Sequence, residues 1–338
     1  MVLKLQSMFS ALNEDAITNL HGAFGVKRVS VKEGDSVTLD SGLTEMKDDD
    51  VIQWRFGNEY TLIAEINVTA NRITVYDDVL DGRFRDRLKV DHQTGSLTIT
   101  NTRTEHTGHY ELQTNSVIKS FTLSVFVSVT EGDSVTLNSH LTEMKDDDVI
   151  QWMFKNTLIA EISKRLNKIT VYDDVLDGRF RDRLKLDNQT GSLTITNTTT
   201  EHAGHYELQT NSVIKSFTLI VIVKISVKEG DSVTLNSDLT EIKEVDKILW
   251  MFKNTLIAEI NKRADRITVY NGVLDGRFRD RLKLDKQTGS LTITNITTEH
   301  DGDYRLKINS MRKRFSLTVY GELNTFNYLG PSLCFFLH

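Results

Sequence analysis

Cysteine, proline and long apolar runs are almost missing from this chain. Its single cysteine, Cys334, leaves no internal disulfide and no multi-cysteine metal site. One proline and 19 glycines exclude a proline-rich or collagen-like chain. No run of eighteen apolar residues occurs, so no helix of this sequence spans a bilayer. Neither sign of charge dominates. Lys and Arg number 41 against 47 Asp and Glu, a formal net of −6 spread along the chain, which excludes a general nucleic-acid binder. What is present suits folding: 39% hydrophobic and 26% charged residues in 338, a length that fits two or three domains.

The strongest signal is internal repetition. The run Val29 to Leu39 (VSVKEGDSVTL) recurs from Val127 and from Ile225, 98 residues apart each time, and Trp54, Trp152 and Trp250 keep the same spacing. Asp77 to Lys89 matches Asp173 to Lys185, and His109 to Leu123 matches His205 to Leu219, without a change. A period near one hundred is too long for a solenoid, so each copy reads as a domain. The expected division is an N-terminal segment 1–25, domains at 26–125, 126–223 and 224–320, and a tail 321–338.

Within a copy the hydrophobic period is two. Ser36 to Asp40, Asp50 to Phe56, Thr61 to Ile66, Arg72 to Tyr76, Ser96 to Thr100, His109 to Gln113 and Lys119 to Val125 alternate or are β-branched and aromatic. Turn residues separate them at Glu33-Gly34-Asp35, Asp48 to Asp50, Asp81-Gly82, Thr94-Gly95-Ser96 and Asn115-Ser116. Only Met1 to Leu20 has a helical period, short and weak. Some eight or nine short strands per hundred residues predict an all-β chain of three tandem sandwiches.

The order of features points further. Val37 to Leu39 is followed by Trp54, then Leu97 to Ile99, then Gly108-His-Tyr110-Glu-Leu112. This resembles the immunoglobulin variable-type domain: strand B, a core Trp on strand C, strand E, and a tyrosine corner opening strand F. The resemblance runs from about residue 26 to 320 and occurs three times. The two cysteine positions hold Ser41 and Leu112, Ser139 and Leu208, and Ser237 and Leu306, and the Asp usual four residues before the corner Tyr is His106, His202 or His300. Variable-type domains without that disulfide are similar to the outer domain of the signalling lymphocyte activation molecule (SLAM) family, and the runs Gly82 to Arg87, Gly95 to Ile99 and Gly108 to Tyr110 resemble such receptors in bony fish. That likeness implies leukocyte surface receptors that bind themselves or one another. Family members carry a second, cysteine-bearing domain where this chain has three variable-like copies.

Without the disulfide, packing must hold each sandwich. Trp54, Val37, Leu39, Ile52, Leu97, Ile99 and Leu112 are the expected core, with Tyr110, and their equivalents Trp152, Tyr206, Leu208, Trp250, Tyr304 and Leu306 in the later copies. Ser41, set among apolar neighbours, needs a backbone acceptor for its hydroxyl. Phe121 to Phe126 runs straight into Val127, and Phe217 to Val223 into Lys224, with no Gly/Ser or proline linker, so one continuous strand and a semi-rigid rod are expected.

No phosphate loop, nucleophile elbow or zincin motif is present, so neither an enzyme nor a cofactor is expected. His106 with His109, and His202 with His205, have the spacing of a metal pair, but His300 with Asp303 breaks it, which favours loop capping. Arg83, Arg85, Arg87 and Lys89 alternate as if along one strand face, a site for sulfated glycan or phosphate, with Asp81, Asp86 and Asp91 interspersed to pair them. The expected partner of Arg83 is Glu105. Thr74-Val-Tyr76-Asp-Asp-Val79 matches the phosphotyrosine pattern of SLAM-family tails, yet it lies within each β-rich copy and reads as structure. Sequons at Asn67, Asn188, Asn197 and Asn295 permit glycans, though a chain this rich in Asn, Ser and Thr yields about that many by chance.

For a partner, the resemblance implies the sheet of strands C, C′, F and G. With Trp54 and Leu112 inward, Gln53, Arg55, Glu111 and Gln113 point outward there. Residues 26–125 hold 12 basic and 16 acidic groups (−4), 126–223 hold 10 and 14 (−4), and 224–320 hold 18 and 14 (+4), which favours antiparallel overlap of copies or approach to an anionic membrane. Met1 to Ala23 is a poor secretory signal, although His21 to Gly25 resembles the end of one in a fish receptor, and the tail is too short to span. The ends read as those of a truncated or alternatively spliced cell-surface protein, anchored only if a further segment supplies the anchor. The expected function is non-enzymatic surface recognition in immune cells, with an intracellular immunoglobulin-repeat scaffold and an Arg83/Arg85/Arg87 glycan module as alternatives.

Overall fold

A computed structural model describes residues 25–321, apart from positions 45, 47–50, 142–143, 146–147, 212, 244–246 and 310. The Asp48 to Asp50 turn, the weak helical period near the N-terminus and Cys334 lie outside the described residues. The chain divides into two compact units, one up to Ile220 with the first two repeats and one from Val221 with the third.

Among the described residues the first repeat has nine strands: β1 Lys27–Lys32, β2 Val37–Leu39, β3 Val51–Phe56, β4 Thr61–Asn67, β5 Arg72–Val75, β6 Leu88–Val90, β7 Leu97–Ile99, β8 Gly108–Gln113 and β9 Ile118–Thr130. One sheet runs β1-β9-β8-β3-β4-β5, with β1 parallel to β9, and the other is β2-β7-β6. The second repeat adds β10 Val135–Leu137, β11 Val149–Phe154, β12 Thr157–Ser163, β13 Lys168–Val171, β14 Leu184–Leu186, β15 Leu193–Ile195, β16 Gly204–Gln209 and β17 Ile214–Lys228. The third adds β18 Val233–Leu235, β19 Lys247–Phe252, β20 Thr255–Asn261, β21 Arg266–Val269, β22 Leu282–Leu284, β23 Leu291–Ile293, β24 Gly302–Ile308 and β25 Met311–Tyr320. Three tandem immunoglobulin V-like sandwiches result. As expected, β9 passes from the first repeat into the second without a break.

Alternation decides which side chains enter the core. On β3, Ile52, Trp54 and Phe56 are buried while Val51, Gln53 and Arg55 are not. Trp54, Trp152 and Trp250 are fully enclosed, as are Tyr110, Tyr206 and Tyr304, and Leu112, Leu208 and Leu306 sit opposite the indoles in register. Phe121, Phe217 and Phe315 pack against the three indoles with ring centroids 5.2–5.6 Å apart. Each indole N–H has an acceptor: Trp54 donates to the Gly95 carbonyl at 2.8 Å, Trp152 to Gly191 at 2.9 Å and Trp250 to Gly289 at 2.8 Å. Gly95 has φ +69°, and a Cβ there would lie 2.8 Å from Ile52 Cδ1, so only glycine brings the carbonyl this close.

Serine at the cysteine position is tied to the loop entering strand β7. Ser41 Oγ donates to the Thr94 carbonyl at 2.5 Å, and its equivalents Ser139 and Ser237 donate to Thr190 and Thr288 at 2.6 Å. The buried hydroxyls are therefore satisfied. The corner tyrosines donate to the carbonyls of His106, His202 and His300 at 2.6–2.7 Å, which fixes the turn into the following strand.

Candidate recognition faces

Gln53, Arg55, Glu111 and Gln113 do share one outward face. Across the β3–β8 pairing Gln53 stands opposite Gln113 and Arg55 opposite Glu111. Gln53 Nε2 donates to Glu65 on β4 at 2.8 Å, Arg55 Nη2 donates to Gln53 Oε1 at 2.8 Å, and Arg55 Nη1 donates to the Tyr60 carbonyl at 3.3 Å. A polar network thus covers the face, with Ile118 on β9 exposed beside it. The second repeat builds the same face from Gln151, Met153, Glu161, Glu207 and Gln209. Gln151 donates to Glu161 at 2.7 Å, and Gln209 donates to Glu207. The third builds it from Leu249, Met251, Arg305 and Lys307, and Glu259 on β20 is buried against Arg266 at 3.2 Å and the Tyr270 hydroxyl at 3.1 Å.

The arginine stripe is not a strand face. Leu80, Asp81, Gly82 and Asp86 all have positive φ, and Arg85 N–H donates to the Gly82 carbonyl while Arg87 N–H donates to the Phe84 carbonyl. Residues 83–87 therefore form consecutive turns, and β6 starts only at Leu88. The three guanidinium groups diverge. Arg83 lies over the Phe56 ring, 5.5 Å from its centroid, Arg85 pairs with Asp78 at 2.5 Å, and Arg87 donates to the Asn101 carbonyl at 2.6 Å. Among the described residues these three side chains build no shared oxyanion site.

The expected Arg83–Glu105 pair is also replaced. Glu105 pairs with Arg103 at 3.4 Å, two residues away on the same turn. In the second repeat, where Thr199 stands for Arg103, Arg179 does approach Glu201, at 4.0 Å. A nearer cation takes the carboxylate in the first repeat.

His106 is fully buried and both ring nitrogens are occupied: Nδ1 accepts from the Arg103 N–H at 2.9 Å, and Nε2 bonds the Arg83 carbonyl at 3.0 Å. His202 and His300 repeat this arrangement. Burial holds all three imidazoles below the ordinary histidine pKa, opposed mainly by the bond to the arginine carbonyl. The His106 ring also stacks on Phe84 at 5.1 Å. These histidines brace the tyrosine corner, a role their place four residues before Tyr could have signalled. Among the described residues no cluster of three or more His, Cys, Asp or Glu has metal-binding geometry.

Sequence reading missed the inward lysines of the last strands. Lys119 and Lys215 donate to the Ser41 and Ser139 carbonyls, and Lys313, buried, donates to Asn236 and pairs with Asp238. Lys215 also borders a 320 Å³ hollow between the first two repeats, with Arg83, Glu105 and Ile214. Glu33 and His140 meet nearby at 3.5 Å. Of the sequons, Asn188, Asn197 and Asn295 are exposed, whereas Asn67 is half-buried and its amide oxygen accepts from the Ala70 N–H at 2.8 Å. Tyr76 follows β5, its N–H bonded to the Ile63 carbonyl at 3.0 Å.

Paired sheets, enclosed indoles and three tyrosine corners define an immunoglobulin-type all-β protein. The family model for the immunoglobulin V-set domain matches residues 122–224, the second repeat. Among solved structures, extracellular domains 3–5 of Drosophila OTK are 17% identical, cover 88% of this chain and 95% of that one, and give a TM-score of 0.22. The first immunoglobulin-like domain of human CD48 antigen is 21% identical over 35% of this chain and 91% of that one, TM-score 0.26. The I9–I11 tandem of titin is 16% identical over 88% and 97%, TM-score 0.20. At these scores the likenesses carry no argument about function. No helix among the described residues is long and apolar enough to cross a membrane.

Proposed function

We propose that this chain is a non-enzymatic cell-surface recognition protein of SLAM type, adhering to itself or to related immunoglobulin receptors of immune cells. The contact surface in this reading is the first repeat's outward face, Gln53, Arg55, Glu111 and Gln113. The observation that carries it is the register. Four polar side chains from two neighbouring strands present one continuous patch, beside exposed Ile118, over a core that fixes the backbone beneath them. Mixed charge on such a patch favours rapid encounter and selectivity over raw affinity. Domain limits at 26–125, 126–223 and 224–320 belong to this proposal, as do glycans at Asn188, Asn197 and Asn295, with Asn67 less open.

The test is aggregation of cells displaying the chain, wild type against Arg55→Glu and Glu111→Arg. Each reversal is expected to reduce aggregation by about tenfold or more, as for truncated interfacial charge pairs. Undiminished aggregation in both variants removes this face from the proposal.

A further inference from the structure

The third repeat carries a cationic cluster that the other two repeats lack. Across the β24–β25 pairing Arg305 stands directly opposite Arg314, and Lys307 directly opposite Arg312. Like charges placed opposite each other in an antiparallel pair destabilise a sheet. The first repeat has Glu111 opposite Ser120 and Gln113 opposite Ile118 at these positions, and the second has Glu207 opposite Ser216 and Gln209 opposite Ile214. Four cations have thus replaced glutamate, glutamine, serine and isoleucine on one sheet face. Arg314 is partly buried among them, and desolvation followed by Arg305 lowers its pKa, while Asp303, on the same outward face of β24, opposes the shift. Arg305 Nη1 donates to Asn254 Oδ1 at 3.2 Å, and its Nε–H, like those of Arg55 and Arg179 in the earlier repeats, is buried without an acceptor. Beside the cations Leu249 and Met251 are only half-buried, and the acidic residue of the neighbouring strand, Glu259, is turned into its pairing with Arg266 and Tyr270.

Arginine and methionine, both present on this face, are enriched at protein interfaces. The second repeat is acidic on the corresponding face. Glu161 and Glu207 are hydrogen-bonded to neutral glutamine amides, which leave their charge in place, and Met153 stands where the first repeat has Arg55. We propose that the β19–β24–β25 face of the third repeat, through Arg305, Lys307, Arg312 and Arg314, docks on the acidic β11–β12–β16 face of the second repeat of another copy of this chain. This rests on the self-recognition reading above and adds to the first-repeat face a second contact, between two different, oppositely charged surfaces.

The experiment uses the full chain and sedimentation velocity over a concentration series. One variant combines Arg305→Glu with Lys307→Glu, and a second combines Glu161→Lys with Glu207→Lys. Each alone is expected to self-associate at least about tenfold more weakly than wild type. An equal mixture of the two is expected to recover the association, because each then presents the charge the other lacks. Circular dichroism and melting of each variant separate lost docking from lost folding. Absence of recovery in the mixture, with both variants folded, overturns the proposal. So does binding to heparin that the third-repeat variant loses and the second-repeat variant keeps, if self-association is unchanged in both; the cations then serve a sulfated glycan. Self-association sensitive to Arg55→Glu and indifferent to both charge pairs keeps the first-repeat face and removes this one. A wild type that stays monomeric removes both.

Discussion

The first and third repeats have one interior and two exteriors. Inward positions agree to the residue type: Trp54 and Trp250, Tyr110 and Tyr304, Leu112 and Leu306, His106 and His300. Outward positions on the same strands change chemistry, Gln53 to Leu249, Arg55 to Met251, Glu111 to Arg305, Gln113 to Lys307 and Ser120 to Arg314. The pleat separates the two sets at every second residue, so a face can be rewritten without disturbing the packing beneath it. Difference among copies therefore marks the surface available for recognition, and sameness marks what closes the sandwich.

The comparison breaks most sharply if the interiors are not equivalent. Trp54→Ala and Trp250→Ala each remove a fully enclosed indole and its bond to a glycine carbonyl, and each is expected to cost its own repeat about 3–5 kcal/mol. Urea unfolding followed by a probe in each unit measures both losses. A third-repeat cost less than half that of the first shows that its core is built differently.

A second test uses the histidines shared by all three interiors. Their folded-state pKa values are depressed by burial, so the unfolded chain takes up protons first. Their contribution is fully present above the unfolded value of about 6.5 and is lost as pH falls through the folded values. The melting temperature is expected to fall on acidification from pH 7 to 5. His106→Gln, which keeps an acceptor for the Arg103 N–H and takes up no proton, flattens the first repeat's part of that slope. Asp91, Asp187 and Asp285, whose pKa values are lowered by hydrogen bonds led by the Thr94, Thr190 and Thr288 N–H groups, are lost only below their ordinary carboxylate range, so the two windows stay apart. A melting temperature constant between pH 7 and 5 contradicts the assignment.

The smallest effect sharpens the exterior. Arg314→Ser copies the first repeat's Ser120 opposite a remaining Arg305 and relieves one like-charge contact. It is expected to stabilise the third repeat by roughly 0.2–1 kcal/mol at low salt, and by less at high salt. A clear destabilisation shows that Arg314 serves its own fold.

Much of this was legible in the sequence because a pleated strand has a period of two. Trp54, Leu112 and Tyr110, the serine hydroxyls and the outward quartet on β3 and β8 all follow from alternation and the need to satisfy buried polar groups. The segment 83–87 misled because its arginines alternate as a strand's would. Its backbone instead turns through left-handed conformations at Asp81, Gly82 and Asp86, which aspartate and glycine tolerate and a hydrophobic pattern does not report. Glu105 went to Arg103 because sequence neighbours on a tight turn compete with partners across a sheet. The cross-strand arginines were visible as residues, but only the β24–β25 register shows that they face one another.

Strand β9 has a consequence for how the molecule can be cut. Its thirteen residues, Ile118–Thr130, close one sandwich and open the next, so they leave no slack for a protease to enter. A cut along it takes from the first sandwich a strand held between β1 and β8, or from the second its opening strand. Tension applied to the chain there would pass directly into hydrogen-bonded ladders, and the repeats in this unit would yield by unravelling before any tether between them stretched.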